Sequence, residues 1–283
     1  MEKNIVILYH AKCFDGFGAA WVCRKEFGED AEYIPVSDRI TPPEGLDGKE
    51  VYVVDFSYPK EVLRDLEIRA KRLVVIDHHL SAEENVRSLK EHVFDLDHSG
   101  AILTWQYFFP DTEPPLLLKL IEDNDLWLFN FSETKPFIKI LGIISFEFED
   151  WDALAEDFED KEKRAAILEK GSLYEEYWNM LIKQLADSAK EVEFEGYRVY
   201  AINMHGIFRS ELGNLLANKK PPFAILWGHK DEDALTFSLR GDGSVNVAEI
   251  AEKYGGGGNH DTAAFRITNS VTLPFTLVEE LEE

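Results

Sequence analysis

The chain reads as an α/β protein of two domains joined by a helical linker, and three observations predict this. Short, β-branched apolar runs alternate with segments of helical period through the first half. A charged stretch over 150–190 is helical throughout. A second, strand-rich alternation follows it. Strands alternating with helices imply a parallel sheet with helices on both faces. We place the first domain at 1–148, the linker at 149–191 and a smaller α/β domain at 192–283.

The elements follow in order. NIVILYH (4–10) is a buried strand, and DGFGAAWVCRKEFG carries helical spacing up to Gly28. VYVVDFS (51–57) is the next strand. Pro59 suits the start of the helix PKEVLRDLEIRAK (59–71), with Ser57 as its cap. RLVVIDHH (72–79) is a third strand, and 100–109 and 114–127 are helices. Asp97 and His98 read as residues of the cap region of the helix beginning near Gly100. Gly171 marks a break in the linker helices. Beyond the linker, 197–204, 222–230, 234–241 and 263–268 are strands, with helices at SELGNLLANK and NVAEIAEKY.

Composition narrows the function. The net charge of −24 argues against non-specific duplex binding, which needs clustered Lys and Arg. Much of that charge lies in solvated stretches such as EDWDALAEDFEDKEK and VEELEE, where it serves solubility. Two cysteines imply no disulfide framework and fit a reducing cytoplasm. No apolar run reaches the roughly 18–20 residues needed to span a bilayer, and MEKNIVILYH reads as a first core strand rather than a signal peptide.

In open α/β sheets ligands bind outside the carboxyl ends of the strands. Here three consecutive strands end at His10, at Asp55 and at the trio Asp77, His78 and His79. Adjacent strand residues point to opposite faces, so the trio can share a pocket only where the chain turns. HAKCFDG adds Asp15 before Gly16, and IEDNDLW adds Asp123 and Asp125 at the end of an apolar helix. Each has a plain alternative: turn residues, a helix cap, a satisfied polar cluster, a polar last turn. Together they form a mixed His/Asp set suited to Mn or Mg, with Zn or Fe also accommodated by imidazole. Two such ions about 3.5–4 Å apart are a common engine of phosphoryl transfer to water. In the second domain Arg240 follows a strand, and GGGG (255–258) precedes His260, so backbone amides could approach a phosphate closely.

DHH at a strand end, VDFS upstream and GGGGNH near the C-terminus together resemble the DHH phosphoesterase superfamily, and within it the members with a DHH-associated C-terminal domain. The resemblance covers nearly the whole chain. It implies a catalytic DHH domain followed by a substrate-binding domain, with a cleft between them and the linker as hinge. It implies that His10, Asp15, Asp55, Asp77, His78 and Asp123 are ligands of a Mn-preferring site, with Asp77 bridging two ions. Asp123 is preferred to Asp125 for its spacing to Trp127. Asp77, His78 and His79 form the catalytic trio, His79 on the substrate side. Arg209, Arg240, Gly257, Gly258 and His260 would grip the substrate. Two positions depart from the pattern. Cys13 stands where many members have an aspartate, which leaves it a ligand, a spectator or the mark of a weakened site. Asn259 interrupts the usual run before His260.

The implied activity is hydrolysis of short single-stranded RNA or DNA, or of dinucleotides, to mononucleotides by a cytoplasmic enzyme without membrane contact. A dimer is compatible with the sequence. The rival readings are a phosphomonoesterase acting on a small nucleotide such as 3′-phosphoadenosine 5′-phosphate, and a catalytically weak nucleotide-binding subunit.

Overall fold

A computed structural model describes residues 3–37, 40–204, 206–231, 234–268 and 273–277. The acidic tail VEELEE lies outside the described residues. The chain divides into two compact units, Met1–Glu175 and Glu176–Glu283. Among the described residues no helix is long and apolar enough to cross a membrane.

The first unit is built on five parallel strands. In chain order it runs β1 (Ile5–His10), α1 (Phe14–Phe27), β2 (Ala31–Val36), β3 (Glu50–Val54), α2 (Lys60–Arg69), β4 (Arg72–Asp77), α3 (Glu83–Arg87) and β5 (His92–Phe94). Then come α4 (Gly100–Phe108), α5 (Leu116–Asp125), α6 (Thr134–Leu141), α7 (Phe148–Glu159) and the long α8 (Lys161–Ala186), which crosses into the second unit. The sheet order is β2-β1-β3-β4-β5. Its central strands are apolar throughout because both faces are covered. Ile7, Tyr9, Tyr52, Val54, Val74 and Ile76 face one core with α1, α4, α5, α6 and α7. Val6, Leu8, Val51, Val53, Leu73 and Val75 alternate with them and face α2 and α3.

Three local expectations change. The strand expected over 72–79 stops at Asp77, so His78 and His79 lie in the turn that follows. Ser57 does not cap α2: its hydroxyl donates to the carbonyl of Tyr58, and Pro59 holds the cap position without a side-chain bond. Gly171 does not break α8. A Cβ there would lie 2.3 Å from the carbonyl oxygen of Pro136, so the glycine lets α8 pack against α6. The short strands β2 and β5 had no clear apolar run. β2 is an edge strand carrying Pro35, which a central strand would not tolerate.

The second unit carries a seven-stranded mixed sheet. Its elements are β6 (Lys190–Phe194), β7 (Tyr197–Asn203), α9 (Arg209–Lys219), β8 (Phe223–Asp231), β9 (Ala234–Gly241), α10 (Val247–Glu252), β10 (Gly257–Asn259), β11 (Thr262–Thr268) and β12 (Thr276–Leu277). They are ordered β10-β11-β9-β8-β7-β6-β12, and only β7 and β8 pair in parallel among the described residues. One face packs on α10 and the other on α9 and the end of α8.

Candidate metal centre

Neighbouring parallel strands β1, β3 and β4 end at one edge of the sheet and deliver His10, Asp55 and the Asp77–His79 turn there. The β1–α1 loop adds Cys13 and, one residue into α1, Asp15. This loop folds tightly: a Cβ on Gly16 would sit 2.4 Å from the carbonyl oxygen of His10. The N-terminus of α4 comes equally close. A Cβ on Gly100 would lie 2.7 Å from that of Asp55, so only glycine fits. The backbone N–H groups of Gly100 and Ala101 donate to the two oxygens of Asp15, at 2.6 and 3.1 Å. Ser99 is the cap of α4, accepting from Ile102 N. His98 instead pairs with Glu122. Gly100 gave no signal in the sequence, because the contact it permits joins residues far apart in the chain.

Asp55 lies at the centre. It is buried and adopts φ +62, a left-handed conformation that aspartate tolerates better than most residues. Its Oδ2 is 3.2 Å from His10 Nδ1, and its Oδ1 is 3.3 Å from His78 Nε2. His78 Nε2 also faces Asp125 Oδ2 at 3.5 Å and Asp15 Oδ2 at 3.8 Å. Yet neither Asp55 Oδ1 nor His78 Nε2 has a hydrogen-bond partner among the described residues. Buried polar atoms are seldom left so, because desolvation is costly. The donors fall into three overlapping groups: His10, Cys13 and Asp55; Asp55, His78 and His79; Asp15, His78 and Asp125. Within each, the ligand atoms lie within 4.8 Å of one another. Nitrogen and oxygen donors converging on orphaned buried atoms fit a divalent cation.

The electrostatics agree with that fit. Burial, and then the charges of Asp55 and Asp125, push the Asp15 carboxyl well above the usual carboxylate range. Burial and Asp55 raise Asp125 likewise. Burial also opposes ionisation of Asp55, but the imidazoles of His10 and His78 outweigh it and hold Asp55 below the ordinary value. Burial, followed by Asp55, Asp15 and Asp125, pushes the Cys13 thiol well up. A cation would relieve the repulsion among these carboxylates.

Asp77 and Asp123, both expected as ligands, fall outside the three donor groups. Asp77 Oδ1 accepts from the backbone of His78 and His79 and lies 2.7 Å from His79 Nδ1. Its Oδ2 is buried without a hydrogen bond among the described residues, but Asp77 belongs to none of the three donor groups. Asp77 Oδ1 thus orients His79, and Asp55, not Asp77, is shared by two of the donor groups. Asp123 is buried on the other side of α5. It accepts from Asn130 N, Phe131 N and the hydroxyl of Thr134, and so organises the loop after α5. Asp125, not Asp123, faces His78.

In the second unit a Cβ on Gly213 of α9 would lie 2.5 Å from Arg240 Cγ. Burial, and then the charge of Arg209, lower the Arg240 guanidinium to about 10. Neither arginine has an acidic partner at ion-pair distance among the described residues. The glycine run is largely structural. A Cβ on Gly256 or Gly258 would collide with β11, whereas one on Gly257 would meet open space. His260 is exposed and hydrogen-bonded to the neighbouring Asp261.

No family model matches the sequence. An uncharacterised protein of Acanthamoeba polyphaga mimivirus is 29% identical over 303 aligned positions, covering 97% of this chain and 70% of the viral protein. Among solved structures, the DHH domain of a protein assigned to a family of ribosomal proteins aligns with a TM-score of 0.55 and 15% identity. That match covers 97% of this chain and 83% of the other. A pGpG-specific phosphodiesterase from Vibrio cholerae, PggH, aligns with a TM-score of 0.53 and 14% identity over 94% of both chains. The chain has the fold of the DHH-domain proteins.

Proposed function

We propose that this DHH-fold chain is a metal-dependent phosphodiesterase that hydrolyses short single-stranded nucleic acids or dinucleotides to mononucleotides, with Mn as its preferred ion. One observation carries the reading: Asp55 joins His10 and Cys13 on one side to His78 on the other, with Asp15 and Asp125 beyond, all at the carboxyl edge of a parallel sheet. Bound divalent ions supply a Lewis acid for the phosphoryl oxygens and an activated water. Asp55 would hold both ion positions together. Asp15 would keep its orientation through the N-terminus of α4. Asp77 would set the ring of His79 against the scissile phosphate. In the second unit Arg209, Arg240 and the amide of Gly257 would receive substrate phosphate, and His260 would flank it. That PggH, of the same fold, is a pGpG-specific phosphodiesterase supports a dinucleotide as one substrate.

The test uses chelator-treated protein, re-supplied with Mn, and labelled mono-, di- and oligonucleotides. Stepwise release of mononucleotides is expected, with Asp55→Ala slower by about a thousandfold or more, the rate equivalent of about 4 kcal/mol. Release of inorganic phosphate alone would replace this reading with a phosphomonoesterase. No turnover with Mn, Mg or Zn would leave a nucleotide-binding subunit.

A further inference from the structure

Cys13 occupies a place that the metal-centre reading does not by itself require to be a thiol. Its Sγ groups with a ring nitrogen of His10 and a carboxylate oxygen of Asp55 within 4.8 Å. It holds the cap position of α1, yet its side chain makes no capping bond. The loop around it is fixed. Ala11 N donates to the carbonyl of Val36 at 3.0 Å, Lys12 sits at φ +57, and Gly16 closes against His10. Its sulfur is thus delivered to the cluster by backbone geometry rather than by packing. Independently, Asp55 turns its Oδ2 to His10 at 3.2 Å, while its Oδ1, 3.3 Å from His78 Nε2, is buried without a hydrogen bond among the described residues. The other cysteine, Cys23, is fully buried in the apolar core of the first unit.

We infer that Cys13 is a thiolate ligand, and that the centre is chemically divided into a softer position at His10, Cys13 and Asp55 and a harder one at Asp55, His78, Asp15 and Asp125. This rests on the metal-centre reading above and sharpens it. Thiolate favours Zn, Co or Fe over Mn and Mg, whereas carboxylate-rich positions suit Mn and Mg. The two positions would therefore hold different metals when both kinds are supplied. Binding replaces the S–H bond of Cys13 by a metal–sulfur bond and releases the proton to solvent.

The experiment is an anaerobic cobalt titration of the metal-free full chain, followed by absorption. A near-ultraviolet sulfur-to-cobalt charge-transfer band is expected to grow to saturation in the wild-type chain and in Cys23→Ala. It is expected to be absent from Cys13→Ser, while the weaker visible cobalt bands persist there. Cys13→Asp should bind cobalt without the band and shift the competition between zinc and manganese towards manganese by about tenfold or more. Cobalt bound with only the visible bands in the wild-type chain would overturn the thiolate ligand and leave the metal centre standing. A charge-transfer band that survives in Cys13→Ser would do the same. Failure of the wild-type chain to bind cobalt or manganese at all would overturn both readings.

Discussion

Each unit has one place where side chains of like charge come together. In the first, the carboxylates of Asp15, Asp55 and Asp125 surround the single nitrogen His78 Nε2 at 3.3–3.8 Å. In the second, Arg240 is half-buried beside Arg209, and neither has an acidic partner at ion-pair distance among the described residues. Elsewhere the same chain pairs its charges readily: Arg72 with Glu91, Lys71 with Glu50, Lys253 with Glu195. The difference is instructive. Surface pairs are made within the chain and contribute little, about 0–1 kcal/mol each. Like charges drawn out of water are costly, and clusters of them are commoner at functional sites; the first unit's carboxylates fit this more fully than the second unit's arginines, because Arg209 is exposed. A cation would complete the first cluster and an anion the second. A metal and a phosphate are the complements each would take.

The sharpest way to break this comparison separates two aspartates two residues apart. Asp125→Ala should lower activity by about a hundredfold or more, while the metal-free protein keeps or gains stability as repulsion is relieved. Asp123→Ala should instead cost about 3 kcal/mol in denaturant unfolding, because it strips the acceptor from the buried Thr134 hydroxyl and from the Asn130 and Phe131 amides that it ties to α5. Metal titration by calorimetry beside urea unfolding reads both effects. Reversed behaviour of the pair would return Asp123 to the ligand set.

A smaller effect is expected in the second unit. Arg240→Ala should raise KM by about tenfold with kcat little changed, since the guanidinium would bind phosphate alike in ground and transition states. It should also stabilise the substrate-free protein slightly, because a cation lowered to about 10 by burial and Arg209 destabilises the fold at neutral pH. Steady-state kinetics on a dinucleotide and thermal melts would check the two halves. Unchanged KM would remove Arg240 from the substrate site.

The mildest prediction concerns pH. Asp15 and Asp125 are raised in the fold by burial and by neighbouring carboxylates. Stability from a raised carboxyl is full below its unfolded value and is lost as pH rises through the folded one. Asp55, held low, works in the opposite sense, losing its contribution as pH falls. The metal-free protein therefore carries the Asp15 and Asp125 penalty at neutral pH, and a bound ion removes it. The rise in melting temperature on adding Mn should grow from acidic to neutral pH, and Asp15→Asn should flatten that dependence. A rise independent of pH would mean that these carboxyls are not facing the ion.

Much of this architecture is legible without coordinates. Periodicity locates three buried strands, two of which stop earlier than expected, at Val54 and Asp77, and the alternation of strand and helix makes the sheet parallel. Parallel strands end at a shared edge, so His10, Asp55 and His78 are brought together by topology alone. Tertiary structure decided which member of each local choice enters the site. Residues two apart on a helix diverge by about 200°, so Asp123 and Asp125 cannot both face His78, and only the packing of α5 selects between them. Asp77 and Asp55 lie at the ends of neighbouring buried strands. What distinguishes them is the turn after β4, which folds Asp77 back on the His79 ring and leaves Asp55 facing both imidazoles. Gly100 is of the same kind: its meaning lies in what stands opposite it across the fold, and sequence order carries no measure of that distance.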